Sequence, residues 1–337
     1  NKVNQSNHSN IIFVKSFYPY PFSFSRKISK ILIKEKASLI DLHGLWTPYS
    51  IICLNLFKKY KVPYLITTHG MLDKYGLQRN ISKKNVAMFL YQRNCLLNAK
   101  AFRVTSRIEL NNLRSYGITQ PIAIIPHGTK IKTSLKEIEQ KTRNDSKNIL
   151  FLGRLDPIKN LESLLIAWSL IEKDNKSWNL LIAGVGNIKY TKKLKNLSED
   201  LNLKNIKWLG YLNNEEKERV IKSSSLLILP SFSENYGLVV IESLILGTPV
   251  IVSDKTPWLD LKNFNCGYIC STDYESIKIN IDKFISLNFS ERINMSKSSF
   301  KYASLNYNWE LISSKLSSFY DWVRDNKKEK PNFIDTL

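Results

Sequence analysis

Short apolar runs, each closed by a turn that carries a glycine, recur along this chain with amphipathic stretches between them. Ser38–Leu42 ends at His43-Gly44, Tyr64–Thr68 at His69-Gly70, and Ile122–Ile125 at Pro126-His127-Gly128. Asn148–Leu152 ends at Gly153-Arg154, Trp178–Ala183 at Gly184-Val185-Gly186, and Ile206–Leu209 at Gly210-Tyr211. Runs this short and this apolar read as strands buried on both faces. Tyr49–Tyr60, Lys84–Asn98, a stretch from Ser106 and Asn160–Ile171 read as helices. Strands alternating with helices predict an α/β chain with parallel sheets covered by helices. The lead-in from Asn1 to about Ser29 is polar and aromatic, with an irregular Tyr18-Pro19-Tyr20-Pro21-Phe22. Lys132–Lys147 is charged and shows no apolar face, which reads as a linker. The expected division is a first Rossmann-like domain over 1–133, a linker over 134–147, a second such domain over 148–305, and a C-terminal helix and tail over 306–337.

The bulk numbers fit two domains: 337 residues with 43% apolar content. No run approaches the length of a membrane-spanning helix, and no signal-peptide pattern is present. Cys53, Cys95, Cys266 and Cys270 are too few for a disulfide framework and point to a reducing compartment. Cys266 and Cys270 lie close together but have no histidine near them, so two buried small residues are the reading, not half a zinc site. The net charge of +21 points to anionic partners, either nucleic acid, acidic lipid or phosphorylated ligands. It also fits a lysine-rich composition with a solvated basic surface. No zinc finger, RNA-binding aromatic signature or continuous basic block supports nucleic acid.

The stretch Ser233–Leu244 proposes a ligand site. Leu226–Leu229 closed by Pro230 leads in, and Val250–Val252 follows Gly247-Thr248-Pro249. This order reads as strand, polar loop, short helix, glycine stop and strand. It places Glu234 on the loop at a strand's C-terminal end and Glu242 near the start of the next helix. Ligands of open parallel sheets bind at that edge. The two carboxylates can accept hydrogen bonds from sugar or ribose hydroxyls, and the backbone N–H groups of Asn235, Tyr236 and Gly237 can meet a phosphate. Glu242 also reads as an ordinary helix residue favoured by the dipole. A metal site is disfavoured, because no Asp-x-Asp or histidine cluster accompanies the pair.

The run Gly153-Arg154-Leu155-Asp156-Pro157-Ile158-Lys159-Asn160 lies at another strand end. Arg154 offers a planar fork for phosphate oxygens and Lys159 a point charge. Away from such an edge the two would be a solvated face. No Walker loop is present, and Gly184-Val185-Gly186 is only a fragment of a dinucleotide fingerprint. Of the four histidines, His8 lies in the lead-in and is expected to be inert. His43, His69 and His127 each precede a glycine at a strand end and suggest a polar cleft lined by imidazoles, with His69 weighted most.

With these residues in place the chain resembles the retaining, nucleotide-sugar-dependent glycosyltransferases of group 1, or family four, with the GT-B fold. Phe151-Leu152-Gly153-Arg154, Lys159-Asn160, Ala183-Gly184-Val185-Gly186, and Glu234 and Glu242 with seven residues between them, followed by Gly247-Thr248-Pro249, carry the resemblance, which runs from about Ser38 to Val323. It implies two Rossmann-like domains facing a cleft, with the donor in the second. Gly153, Arg154, Lys159, Gly184, Tyr211, Glu234, Asn235, Tyr236, Gly237, Leu238 and Glu242 would bind the donor. Arg154 and Lys159 would take the diphosphate, Glu242 the ribose and Glu234 the sugar. His69 would stand near the transferred sugar, Ser106 and Glu109 would face the cleft, and the helix around Trp309–Trp322 would cross back to the first domain. His69, Glu234, Arg154 and Lys159 are thus the implied catalytic residues. The implied reaction moves a hexose to an acceptor hydroxyl with retained configuration, the departing phosphate taking the acceptor proton. No cofactor or metal is implied, since Arg154, Lys159 and helix dipoles neutralise the diphosphate.

Two departures stand out. The family's first strand and glycine-rich loop have no clear counterpart, so either the chain begins after them or their function is lost. Pro126-His127-Gly128-Thr129-Lys130 replaces the usual Pro-Asn-Gly-Val-Asp, which points to a subgroup that differs at the domain interface. The expected acceptor is a glycan or a lipid-linked species of surface polysaccharide or lipopolysaccharide synthesis. The stretch 83–100 mixes Lys83, Lys84, Arg93 and Lys100 with Phe89, Leu90, Tyr91, Leu96 and Leu97. It can lie on anionic lipid or pack on its own domain. The cytoplasm, or the inner face of the plasma membrane, is the expected location. The alternatives are a non-catalytic donor-binding or scaffolding protein and, lower, a basic nucleic-acid-binding protein with strongly salt-dependent binding.

Overall fold

The computed structural model of the protein describes residues 12–14, 26–78, 80–142, 146–325 and 328–336. His8 and the Tyr18–Phe22 stretch lie outside them. Along the described chain the strands are β1 (Ile40–His43), β2 (Tyr64–Thr67), β3 (Ala101–Val104), β4 (Ile122–Ile124), β5 (Asn148–Leu152), β6 (Asn179–Ala183), β7 (Ile206–Gly210), β8 (Leu226–Leu229), β9 (Val250–Ser253), β10 (Gly267–Cys270) and β11 (Ile334–Asp335). The chain divides into two compact units: 1–126 with 313–337, and 127–312. With a sheet of mainly parallel strands in each, the fold is α/β.

In the first unit the sheet order is β1-β2-β3-β4-β11. The first four strands are parallel, and β11 runs antiparallel to β4. β2 and β3 are buried at every position, as strands covered on both faces must be. Arg114 fixes β11, donating from Nε and Nη2 to Asp335 Oδ2 at 3.1 and 2.6 Å. The helix Tyr49–Tyr60 ends with Lys61 in the left-handed region. The single basic helix expected over 84–98 is interrupted. Ile81–Ala87 and Arg93–Asn98 flank a π-helical turn at Met88–Gln92. Gln92, in that turn, is buried and accepts from the Trp46 N–H and Ser50 Oγ at 2.9 and 3.2 Å.

The second unit has the order β10-β9-β8-β5-β6-β7, all parallel. From β5 the chain builds outward through β6 and β7, then crosses to β8 on the other side. The direction reverses between β5 and β8, and that is where such a sheet opens a crevice. The stretch 134–147, expected as a linker, instead carries the helix Leu135–Thr142, whose Ile138 is buried against Gly247. The strand β10, which the sequence pattern does not mark, lies against β9. Gly267 allows this, because a Cβ there would come within 1.7 Å of the Val250 carbonyl oxygen. The helix Arg26–Lys34 likewise starts inside the lead-in read as polar and aromatic. All four cysteines are free and buried, and burial pushes the Cys266 and Cys270 thiols up to about 12.

Candidate functional site

The loops after β5 and β8 meet at the crevice of the second sheet. The Phe232 N–H donates to the Ile158 carbonyl at 2.8 Å, and Asn160 Nδ2 donates to the carbonyls of Pro230 and Thr272 at 3.1 and 2.7 Å. Asn160 is buried with φ +57°, so it clamps the β5 loop and is not open to a ligand. Its neighbour Lys159 forms an ion pair with Glu234 Oε2, the side chains only 13% and 14% exposed. Arg154 stands exposed on the same loop and has no ion pair among the described residues.

The helix Leu238–Ile245 starts here. Gly237 caps it at φ +76°, and no side chain caps its first N–H groups. The orphan donors and the dipole make such an end attractive to an anion. Leu238 is exposed and Asn235 and Gly237 half-buried. Tyr236 turns its ring inward, its hydroxyl donating to the His127 carbonyl at 3.2 Å, and leaves only backbone to a ligand. Glu242 does not share a partner with Glu234. It pairs with Lys217 Nζ at 2.6 Å and lines a cavity of about 210 Å³ with Lys130, Lys132 and Glu218.

Gly184 and Gly186 have a packing role. A Cβ at Gly184 would sit 1.8 Å from the Gly153 carbonyl oxygen, and one at Gly186 would sit 1.9 Å from that of Leu155. Only glycine lets the β5 and β6 loops run this close, joined by Gly153 N–H to Ala183 O and Leu155 N–H to Val185 O at 3.0 Å. Beside them is a cavity of about 540 Å³ lined by Gly184, Val185, Gly186, Trp208, Gly210 and Lys195 among others. Tyr211 follows immediately and is exposed.

In the first unit two of the three strand-end histidines meet. β1 pairs with β2 so that His43 lies opposite Thr67, and His69 follows two residues later. His43 Nδ1 is 2.9 Å from His69 Nε2, and His43 Nε2 is 3.3 Å from Asp41 Oδ2. Asp41 also accepts from Thr67 Oγ1 at 2.9 Å and from the Tyr320 hydroxyl at 2.7 Å. Burial opposes charge on Asp41, but the contacts with His43, Tyr320 and Thr67 outweigh it and hold its carboxyl below the ordinary value. His69 is itself in the left-handed region at φ +50°. His127 belongs to the second unit, where its ring packs edge-on against Tyr236 at 5.1 Å.

Glu109 explains how the His69 turn is held. Its Oε1 accepts from Thr68 Oγ1 and the Gly70 N–H at 2.8 and 2.6 Å, and its Oε2 from the Thr105 N–H and Oγ1 at 2.8 and 2.9 Å. Ser106 Oγ caps the helix Arg107–Ser115 by accepting the Glu109 N–H at 3.2 Å. Both residues are buried, so the expectation that they face a cleft gives way to an inward structural role. Sequence reading missed Lys217, Asp41 and Tyr320. The sole available signal was the shared strand-end position of His43 and His69.

Among the described residues no group of three or more His, Cys, Asp or Glu side chains is placed to hold a metal ion.

The crevice loops and the uncapped helix place these side chains at one edge of the second unit's sheet, and comparison with known proteins defines the class. The model described as Glycosyl transferases group 1 matches residues 134–302, and that of Glycosyltransferase Family 4 matches residues 3–132. The chain belongs to the group 1 glycosyltransferase family. The alpha-monoglucosyldiacylglycerol synthase of Streptococcus pneumoniae is 26% identical over 252 residues, covering 70% of this chain and 56% of that protein. The structure resembles sucrose-phosphate synthase from Thermosynechococcus elongatus, with TM-score 0.73, 21% identity and coverage of 88% and 76%. It also resembles Anabaena HepE solved with UDP and glucose, with TM-score 0.70, 15% identity and coverage of 88% and 81%. The chain spans about half the length of the curated relatives it matches.

Proposed function

We propose that the protein transfers a hexose from a nucleotide diphosphate sugar to a glycan or lipid-linked acceptor, with retained configuration. The observation that carries this reading is the junction of the β5 and β8 loops. There Arg154, Lys159 and the uncapped start of the helix Leu238–Ile245 put positive potential beside the Glu234 carboxylate. In this reading Arg154 and Lys159 bind the diphosphate and stabilise it as it leaves. Glu234 accepts from sugar hydroxyls, Glu242 takes the ribose in place of Lys217, and His69 acts on the transferred sugar. These cations suffice for the diphosphate without a metal. HepE, solved with UDP and glucose, supports a nucleotide-sugar donor.

The test is a thermal-shift and turnover screen with UDP-, GDP- and ADP-sugars. One donor is expected to raise the melting temperature as its concentration exceeds its dissociation constant and to release its nucleotide diphosphate. Glu242→Ala removes that shift, and turnover persists in EDTA. A donor shift unchanged in Glu242→Ala sinks the ribose assignment, and no shift with any donor sinks the reading.

A lipid-linked acceptor at an anionic membrane fits the stretch 81–97. Phe89 is 87% exposed, with Val86, Leu90 and Leu97 also exposed among Lys83 and Arg93. No helix among the described residues is long and apolar enough to cross a membrane. The protein should float with vesicles containing phosphatidylglycerol, and Phe89→Glu with Leu90→Glu should lower the bound fraction about tenfold, since two buried side chains and two charges are at stake. Equal flotation of both proteins removes this surface from the reading.

A further inference from the structure

We propose that Lys217 sets how strongly the donor site distinguishes ribose from 2′-deoxyribose, by holding one of the two carboxylate oxygens of Glu242. The inference rests on the reading of Glu242 as the residue that takes the ribose, and it adds to that reading a residue on another helix. Lys217 belongs to the helix Asn214–Lys222, whose first turn is closed by a reciprocal cap between Asn213 and Glu216. From there its ammonium reaches across to Glu242 Oε1 at 2.6 Å. Glu242 Oε2 accepts no hydrogen bond among the described residues. The carboxylate therefore offers a ligand one oxygen directly, and the second only when Lys217 withdraws.

A ribose presents two adjacent hydroxyls, and the two oxygens of one carboxylate can accept from both. A 2′-deoxyribose presents only the 3′-hydroxyl, which Oε2 can accept while the ion pair stays whole. The ribose gains its second hydrogen bond by displacing the ammonium. Its advantage over the deoxyribose is thus reduced by whatever the ion pair contributes, and the site tolerates both kinds of nucleotide.

The ion pair is built to exchange. Its side chains are 27% and 31% exposed, more open than the Lys159–Glu234 pair, and open pairs contribute little. The cavity of about 210 Å³ beside it gives the released ammonium room. Asn214 and Thr129 line that cavity and are residue types that accept from an N–H donor. Glu218, on the same helix as Lys217, is held by Lys132 and Lys222 at 2.8 and 3.0 Å. Lys132 is therefore engaged with Glu218 and does not follow Lys217 onto Glu242.

The experiment is titration calorimetry of UDP, GDP and ADP, each against its 2′-deoxy counterpart, with wild type and Lys217 variants. The readout is the ratio of the two dissociation constants for the base that binds. A general loss of positive charge or of stability weakens both nucleotides alike and leaves this ratio where it was. Lys217→Met should raise the preference for ribose about threefold to fivefold, the upper range of what exposed ion pairs contribute. Lys217→Arg should hold the preference at the wild-type value or below it, since the guanidinium fork can cover both oxygens. Glu242→Ala should abolish the preference, and adding Lys217→Met to it should change nothing further. The position is half-buried on a surface helix, so both lysine variants should melt as wild type does. An unchanged ratio in Lys217→Met, a preference for ribose that falls, or a change that survives in the Glu242→Ala background overturns the proposal. Binding with an unchanged ratio sinks only this role of Lys217. Failure of every nucleoside diphosphate to bind wild type sinks the nucleotide-sugar reading, and the inference with it.

Discussion

Lys159→Met is expected to lower kcat for sugar transfer about 10²–10³-fold, the loss typical when one preorganised donor to developing charge is removed. The difficulty in reading such a result is the partner. Lys159 and Glu234 are both largely buried, and deleting one member of such a pair leaves the other charge uncompensated, at about 3–5 kcal/mol. A structural loss could therefore imitate a chemical one. The double variant Lys159→Met, Glu234→Gln separates them. If the lysine only neutralises Glu234, the double variant regains the stability and the rate. If the lysine meets the leaving diphosphate, stability returns while kcat remains about 10²-fold low or worse. Wild-type turnover in the double variant would remove Lys159 from the chemistry. Transfer is followed by release of nucleotide diphosphate, and stability by chemical denaturation.

Glu109→Ala should cost the first unit on the order of 4 kcal/mol. Four donors lose their acceptor at once: the Thr68 and Thr105 hydroxyls and the Gly70 and Thr105 amides. Each buried donor left unsatisfied costs about 1–3 kcal/mol, and partial relaxation keeps the sum below the simple total. For a unit of this size the melting transition should fall by about 10 °C. Glu109→Gln should fall between, since its amide oxygen can serve one donor pair while its NH₂ opposes the other. The left-handed turn at His69 depends on the same carboxylate, so activity should fall further than stability alone explains. A melting temperature within about 2 °C of wild type for Glu109→Ala would mean that the network carries little of the fold.

The strands were legible because Leu226–Leu229 and Val250–Ser253 are buried at every position, and only strands enclosed on both faces tolerate such runs. The helix Leu135–Thr142 was not legible, because only Ile138 and the partly buried Leu135 face the core, too few apolar positions for a period to register. β10 and β11 escaped because their places depend on distant partners, the Val250 backbone and Arg114. At the candidate site the residues were legible and their partners were not. Lys159 and Glu234 are 75 positions apart and were assigned separate tasks, yet they form one ion pair. Gly184, read as a donor contact, brings its backbone against that of Gly153, a packing demand that the sequence pattern does not reveal, and it also lines the cavity beside β6. His43 and His69 could be placed at strand ends, but their meeting follows from the β1–β2 register, which no local pattern encodes.

β11 has a bearing on how the molecule is made. The second unit is continuous in sequence, whereas the first is assembled from separated pieces, with Arg114 and Asp335 lying 221 positions apart. During synthesis the second unit can therefore mature while β4 still presents an unpaired edge beside the buried Ile122 and Ala123. That edge stays open to foreign strands until Ile334 and Asp335 leave the ribosome, so β4 is protected from aggregation only long after it has been made.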